Sequence, residues 1–159
     1  MKLLENAIQE PFMTVVEHRP WGYYGLYADN IKCTTKILYI RRSGSLSLQY
    51  HFRRDQEYLI LDNDFTIEYS DMEVPDSIIN EPNEDWKIIN FNQFLKEHLI
   101  VVNGNEGDIF GFKRKVIHRA TYYGSREYGR CLDIAFGEND EQDIYRIADH
   151  YGRENIKLK

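Results

Sequence analysis

The pattern of apolar and polar positions predicts short β-strands along most of the chain, most clearly over residues 43–61. Polar and apolar side chains alternate over residues 45–50, which is typical of a strand with two different faces. A charged break follows at residues 53–55, and residues 58–61 then form an apolar run typical of a buried strand. This segment is therefore predicted to form two strands around a polar corner.

The side chains near this corner predict a polar site. Two strands joined by a tight turn can bring Gln49 and His51 to one mouth, together with either Gln56 or Glu57. The charged break interrupts the alternation, so the pattern alone does not decide which of the last two residues faces inward. His118 lies in a second segment of similar character, and we expect it at the same mouth.

The remaining strand signals are distributed over the whole chain and are separated by turn residues. Strands are predicted at residues 23–28, 31–40, 65–69, 99–102, 108–112 and 130–136. Many short strands with turns between them predict an all-β sandwich or barrel, with polar residues facing inward at one end as a ligand site.

Helical spacing occurs in two places. Residues 91–98 carry apolar side chains on one face, which predicts a short helix. Residues 144–151 place Ile144, Ile147, Ala148 and Tyr151 at positions i, i+3, i+4 and i+7, which predicts a short C-terminal helix over the core. Residues 70–85 carry acids and prolines without periodicity, so we expect a solvated surface insertion at about residues 70–98 within a single domain spanning 1–159.

Composition excludes several functional classes. The chain has 159 residues and a net charge of −6, which argues against a nucleic-acid binder because phosphate backbones require a basic face. Cys33 and Cys131 are too few for a disulfide framework and indicate a reducing compartment. There is no signal-peptide pattern and no apolar run of membrane-spanning length, so we expect a cytoplasmic location and no membrane partner.

Basic side chains cluster around the two segments that carry the histidines, despite the acidic net charge. They are Arg19, Arg53, Arg54, Lys113, Arg114, Lys115 and Arg119. Arginine and lysine at a cavity mouth suit a phosphate group. For Arg53 and Lys115 the ordinary interpretation is a solvated, charged rim.

Five short motifs in a fixed order resemble a known family. They are RPWG at 19–22, LSLQYH at 46–51, Arg54, the His-Arg pair at 118–119 and YGR at 151–153. The set resembles the cupin domain of type II mannose-6-phosphate isomerase, which also forms the C-terminal half of bifunctional mannose-1-phosphate guanylyltransferase/mannose-6-phosphate isomerase. The resemblance implies a cupin double-stranded β-helix, a jelly-roll barrel, and a homodimer.

The resemblance also implies a metal site, for zinc or nickel. Carried over residue by residue, its ligands are Gln49, His51, Gln56 and His118. Gln56 departs from the family, which has a glutamate at this position. Two imidazoles and two amides offer no negative charge to a divalent ion, so we expect a weakened site. Glu57, the next residue, would restore a carboxylate if it turned inward.

The activity that the resemblance implies is isomerisation of mannose 6-phosphate to fructose 6-phosphate. A metal would polarise the sugar oxygens, Glu57 would act as the base, and Arg54, Arg119 and Arg153 would hold the phosphate.

Two alternatives remain open. The first is a metal-free cupin that binds a sugar phosphate or nucleotide sugar without catalysis, or serves only as a structural dimer. In that case His51 and His118 are hydrogen-bonded interior histidines, and Gln49 and Gln56 satisfy each other's amides. The second is a metal-free sugar-nucleotide epimerase that uses a histidine base and a tyrosine acid.

Overall fold

The computed structural model describes residues 15–29, 32–137, 140–156 and 158, and this part of the chain forms eleven strands in two antiparallel sheets. The strands are β1 (Val15–Arg19), β2 (Gly22–Asp29), β3 (Cys33–Arg41), β4 (Leu48–His51), β5 (Asp55–Ile60), β6 (Phe65–Glu73), β7 (Leu99–Gly104), β8 (Ile109–Phe112), β9 (Val116–Tyr122), β10 (Tyr128–Phe136) and β11 (Ile144–Ala148). The first sheet has the order β1-β2-β3-β10-β5-β8, and the second has the order β11-β4-β9-β6-β7. The predicted fold class, mostly β with two antiparallel sheets, is confirmed.

Strand β5 shows how the alternation of side chains places the polar corner. Gln56, Tyr58 and Ile60 are buried, whereas Glu57 and Leu59 between them are only half-buried. Successive side chains of a strand point to opposite faces, so Gln56 belongs to the interior face and Glu57 to the outer face. The structure thus decides the register that the sequence left open.

The interior changes from apolar to polar along the strands of the first sheet. Neighbouring positions Leu38, Cys131 and Ile60 on β3, β10 and β5 are all buried in the principal core between the sheets. Two residues further along each strand, the neighbours are Lys36, Asp133 and Tyr58. The apolar core therefore ends where a charged layer begins, and that layer bounds the cavity described below.

A second apolar core lies on the outer face of the second sheet. Helix α1 (Asp76–Ile79) is followed by α2 (Glu84–His98), whose first turn is capped by Asn83 through a 3.0 Å hydrogen bond from the Trp86 amide. Buried side chains of α2 pack against strands β4, β9 and β11, and the cluster contains Leu48, Tyr50, Val74, Ile88, Phe91, Phe94, Ile117, Ile147 and Ile156. Neither helix is long and apolar enough to cross a membrane.

This second core corrects the expected character of residues 70–98. The predicted helix exists but begins earlier, at Glu84, and Phe91 at its centre is fully buried. Val74, in the part expected to be solvated, is only 1% exposed. Isolated apolar residues among acids and prolines carry no periodicity, so their packing against the outside of a sheet could not be predicted from the pattern.

The predicted C-terminal helix is wrong. Residues 144–148 form strand β11, which pairs antiparallel with β4 and contains a bulge between Arg146 and Ala148. Ile144 and Arg146 line the cavity, whereas Tyr145 and Ile147 pack in the second core. Because both faces of β11 are covered, its apolar residues do not alternate cleanly, and their spacing imitates a helix.

We predict that helix α2 contributes to global stability. Phe91→Ala should lower the free energy of unfolding by about 3–5 kcal/mol, because it empties a fully buried aromatic position. The matched control is Trp86→Ala on the same helix, where the side chain is 58% exposed and the cost should be below about 1 kcal/mol. Urea unfolding measures both variants, and similar losses in the two would show that α2 is not part of the cooperative core.

Candidate functional site

A cavity opens between the two sheets and is strongly cationic. It encloses about 550 Å³ of empty space, including solvent at its mouth. Its lining contains five cationic side chains, two carboxylates and three aromatic rings. They are Arg19, Lys36, Arg54, Arg146 and Arg153, then Asp133 and Glu141, then Trp21, Tyr24 and Tyr58.

One wall of the cavity carries a chain of hydrogen bonds that ends on His51. Ser47 Oγ donates to Gln49 Oε1 at 2.5 Å, and Gln49 Nε2 lies 3.5 Å from His51 Nε2. The other ring nitrogen, Nδ1, donates to the backbone carbonyl of Asp143 at 3.2 Å. This carbonyl fixes the proton on Nδ1, so the lone pair on Nε2 faces the Gln49 amide.

A second chain runs from His118 to Asp133 through Gln56, and all three side chains are buried. His118 Nδ1 donates to the Val116 carbonyl at 3.0 Å, and His118 Nε2 lies 2.9 Å from Gln56 Oε1. Gln56 Nε2 donates to Asp133 Oδ1 at 2.6 Å. The His118 ring is also stacked on Phe112, with centroids 4.5 Å apart.

The protons of this second chain of hydrogen bonds can be arranged in two states that have the same net charge. A neutral imidazole has one N–H, so His118 can donate to both carbonyl oxygens only as an imidazolium, with Asp133 as a carboxylate. If the Gln56 amide is turned end for end, its NH₂ donates to a neutral His118, and its oxygen accepts from a protonated Asp133. The net charge is zero in both states, and one proton serves the whole chain.

Burial selects between these states. Burial, reinforced by the nearby Arg54 guanidinium, lowers the pKa of His118 to about 4. Burial raises the pKa of the Asp133 carboxyl, although Lys36 opposes this shift. The pKa of His51 is well below its ordinary value, because of burial and then the charges of His118 and Arg54. Burial therefore disfavours the charged forms of both His118 and Asp133, which is the direction of the second of the two states.

The four side chains of the expected metal site do come together. Gln49 and His118 are cross-strand neighbours on β4 and β9, and the ring centroids of His51 and His118 are 5.3 Å apart. Gln56 contacts His118 directly. The four side chains are therefore neighbours, but only Gln49 and Gln56 line the cavity, and the two histidines are buried beside them.

Their chemistry nevertheless fits a divalent cation poorly. Gln49 Nε2 faces Nε2 of His51 and Gln56 Oε1 faces Nε2 of His118, so neither imidazole presents an open Nε2 to a metal. The Arg54 guanidinium is close enough to lower the pKa of both histidines, and a cation would be repelled by it. Within the described part of the chain, no group of three or more His, Cys, Asp or Glu residues could hold a metal ion. We derive no chemistry through a metal here.

Two residues expected in the site lie elsewhere. Glu57 is on the outer face of β5, opposite Gly111 and Ile134 in the neighbouring strands, and it does not line the cavity. Arg119 is on the outer face of β9, where it forms a double hydrogen bond with Glu68, 2.5 and 2.7 Å long. The side-chain directions correct both assignments: neither residue can reach a ligand in the cavity.

Most of the basic cluster seen in the sequence is also outside the cavity. Arg53, Lys113, Arg114 and Lys115 form ion pairs with carboxylates on the exterior, and none of these four lines the cavity. The interpretation of Arg53 and Lys115 as rim charges agrees with this placement.

Arg54 and Arg153 both line the cavity, but they differ in burial and in hydrogen bonding. Arg54 is 5% exposed and continues the inward series of β5. Arg153 is held by Asp149 through two hydrogen bonds of 2.7 Å, which raises its pKa and occupies one edge of its guanidinium.

Sequence reasoning missed four charged residues of the cavity, namely Lys36, Asp133, Arg146 and Glu141. The first three lie in phase with inward-facing neighbours, as Lys36 does with Thr34 and Leu38. A charge at an inward position of an alternating strand was the available signal for the first two. Arg146 could not be found in this way, because its strand was predicted to be a helix.

Comparisons with known proteins identify the fold. No protein-family model matches the chain, and no curated protein sequence does. Among solved structures, KdgF from Halomonas sp. matches with a TM-score of 0.57 and 12% identity, over 80% of this chain and 92% of KdgF. The capsular polysaccharide assembling protein CapF from Staphylococcus aureus matches with a TM-score of 0.59 and 9% identity, over 85% of this chain.

A third similar structure is Streptomyces Pac13, a nucleoside dehydratase solved with uridine, with a TM-score of 0.55 and 9% identity over 84% of this chain and 83% of Pac13. This chain spans only 32% of CapF. At these identities the likeness concerns the fold alone, which here is two antiparallel β-sheets. None of these structures points specifically to mannose-6-phosphate isomerase.

We predict that acid destabilises the protein through its buried histidines. Histidines in an unfolded chain have a pKa near 6.5, so below that pH the unfolded chain binds protons that His51 and His118 do not bind in the folded protein. The free energy of unfolding therefore decreases as pH falls toward 4. The His118 share is about 2 kcal/mol at pH 5, given its pKa of about 4. The raised pKa of Asp133 acts in the opposite direction and offsets part of this loss.

Urea unfolding at pH 7.5 and pH 5 measures this effect. His118→Asn should lose less stability between the two pH values than the unmodified protein does. The control His150→Asn replaces an exposed histidine and should keep the original dependence. An unchanged dependence in His118→Asn would contradict the assignment.

Proposed function

We propose that this chain is a sugar-binding cupin whose cavity takes an anionic sugar, such as a sugar phosphate, without a divalent metal ion. The observation that carries the proposal is the charge of the cavity. Five cations face two carboxylates there, on a chain whose net charge is −6. Burial raises the pKa of one of those carboxylates, Asp133. A site of this sign attracts and retains anions.

The other lining groups suit the sugar itself. Trp21, Tyr24 and Tyr58 offer apolar ring surfaces, and Gln49 offers amide hydrogen bonds beside them. Cavities with apolar walls and a few placed polar groups are typical of small-molecule sites. Arginine adds recognition of phosphate through paired N–H donors. The similar structures include a capsular polysaccharide assembling protein and a nucleoside dehydratase, which is compatible with a sugar-modifying cupin.

Isomerisation of mannose 6-phosphate is the second candidate, because Gln49 and Arg54 of the family motifs line this cavity and His51 and His118 are buried next to them. The reaction moves a proton between two adjacent carbons through an enediol. We propose the His51 imidazole as the base in place of Glu57, since its Nε2 is unprotonated, and the 3.5 Å contact with the Gln49 amide would have to open to the substrate. The cavity's cations would stabilise the negative charge that develops on the sugar oxygens.

We predict that mannose 6-phosphate raises the melting temperature and that unphosphorylated mannose does not. EDTA should leave the shift unchanged, because no metal takes part in binding. Arg54→Ala should weaken the shift, since it removes one of the five positive charges that line the cavity. The control Arg126→Ala removes an arginine that pairs with Asp62 and does not line the cavity. Equal shifts with both sugars would assign the effect to something other than the anion.

We also predict that Gln56→Glu creates a metal site. The new carboxylate would lie beside His118 and add the anionic ligand that the site lacks, so zinc affinity should rise at least about tenfold. The control is Glu57→Gln on the outer face of the same strand, which should leave zinc affinity unchanged. Calorimetric titration measures both. Tight stoichiometric zinc in the unmodified protein would refute metal-free binding.

A further inference from the structure

Two arginines of the cavity share a single carboxylate without bonding to it. Arg146 Nη2 is 3.6 Å from Glu141 Oε2, and Arg19 Nη2 is 3.8 Å from Glu141 Oε1. Both distances exceed those of a hydrogen bond. The Glu141 carboxylate therefore lies between two guanidinium groups and is bonded to neither of them.

The positive charge of Arg146 is less well compensated by neighbouring groups than that of Arg19. Its Nε is buried and has no hydrogen-bond partner among the described residues. Burial and the charge of Arg153 lower the pKa of Arg146, so its surroundings disfavour the charge that it carries. Leaving a buried charged donor unsatisfied is costly, and such positions are typical of ligand sites.

Three other arginines of the protein do have a carboxylate partner within hydrogen-bond distance. Arg153, Arg119 and Arg130 each form two side-chain hydrogen bonds with one carboxylate, supplied by Asp149, Glu68 and Asp62. This fork is the arrangement that satisfies a guanidinium best. Arg146 has the same donors available, but no carboxylate of the described residues lies within hydrogen-bond distance of it. An oxyanion supplied from outside would complete the arrangement.

Arg19 is oriented toward the same space. Its Nη2 donates to Glu17 Oε2 at 2.6 Å, and its guanidinium lies over the Tyr24 ring, 5.5 Å from the centroid. These two contacts hold the guanidinium in place at the mouth while leaving other N–H groups for a ligand. Glu141 is exposed and belongs to the short 3-10 turn Glu141–Asp143, so its side chain can move into solvent.

We propose that Arg146 and Arg19 form the subsite for the phosphate group of the ligand, and that the Glu141 carboxylate occupies this position until the ligand displaces it. The proposal rests on the proposed function, since it locates the anion of that ligand. A phosphate dianion can bond both guanidiniums at once, which a single carboxylate at these distances does not. Glu141 thus lowers the affinity for anions and favours a dianion over weaker competitors.

The subsite also orients the ligand. Arg146 on β11 is the direct cross-strand neighbour of Gln49 on β4. A phosphate bound at Arg146 therefore places the remainder of the sugar against Gln49, next to His51. Arg153, held by Asp149, bounds the subsite without supplying its principal contact.

The test is calorimetric titration of the full chain with two probes, mannose 6-phosphate and inorganic phosphate. Glu141→Gln should raise the affinity for both probes at least about threefold, because it removes a competing charge and keeps the shape. Arg146→Gln should lower both affinities at least about tenfold, as loss of a charge-assisted contact does. Arg19→Gln should lower them by a smaller factor. The controls Glu106→Gln and Arg126→Gln, exposed residues outside the cavity, should change neither.

Each outcome bears on a different claim. If the unmodified protein binds mannose 6-phosphate and the Glu141 and Arg146 variants bind it equally well, the phosphate lies elsewhere in the cavity, and only this inference fails. Weaker binding by Glu141→Gln would mean that Glu141 contacts the ligand and does not compete with it. If the unmodified protein binds neither probe, the proposed function fails and the subsite with it. Should Arg146→Gln not fold, Glu141→Gln and Arg19→Gln still decide the matter.

Discussion

The hydrogen bond between Gln56 and His118 is the interaction on which the rest of the site depends. Gln56 belongs to the first sheet and His118 to the second, so this 2.9 Å contact joins the two sheets at the cavity. It occupies the Nε2 position of His118, and the other end of the same amide links it to Asp133. A glutamate at position 56 would place a carboxylate where this neutral amide now bridges two buried side chains.

The charged layer around this contact is supported by the apolar core beneath it. Leu38, Cys131 and Ile60 are almost fully buried on neighbouring strands, and the charges begin two residues further along the same strands. Burying cations costs stability, because they lose hydration. Unsatisfied donors at such a position are commonly a feature of binding sites, where a ligand supplies what the fold leaves out.

The sequence predicted the fold class and the meeting of Gln49, His51 and His118, because strand alternation and motif order are local signals. It did not predict the face of Glu57, since the charged corner before β5 breaks the count of alternating positions. It also mistook β11 for a helix, because a strand with both faces covered loses its period of two. Because β11 was mistaken for a helix, the position of Arg146 in the wall of the cavity was not predicted. The homodimer implied by the resemblance and the cytoplasmic location expected from composition stay predictions, because neither depends on the interior of one chain.

The turn Glu141–Asp143 holds two parts of the site at once. The Asp143 carboxylate, 1% exposed, accepts hydrogen bonds from the Phe52 and Arg53 amides, and its backbone carbonyl fixes the proton on His51. Two residues earlier, Glu141 lies between the guanidiniums of the anion subsite. The length of this turn is therefore constrained. Inserting or deleting one residue here would move the Glu141 carboxylate away from the two arginines, and it would also remove the carbonyl that holds the proton on Nδ1 of His51.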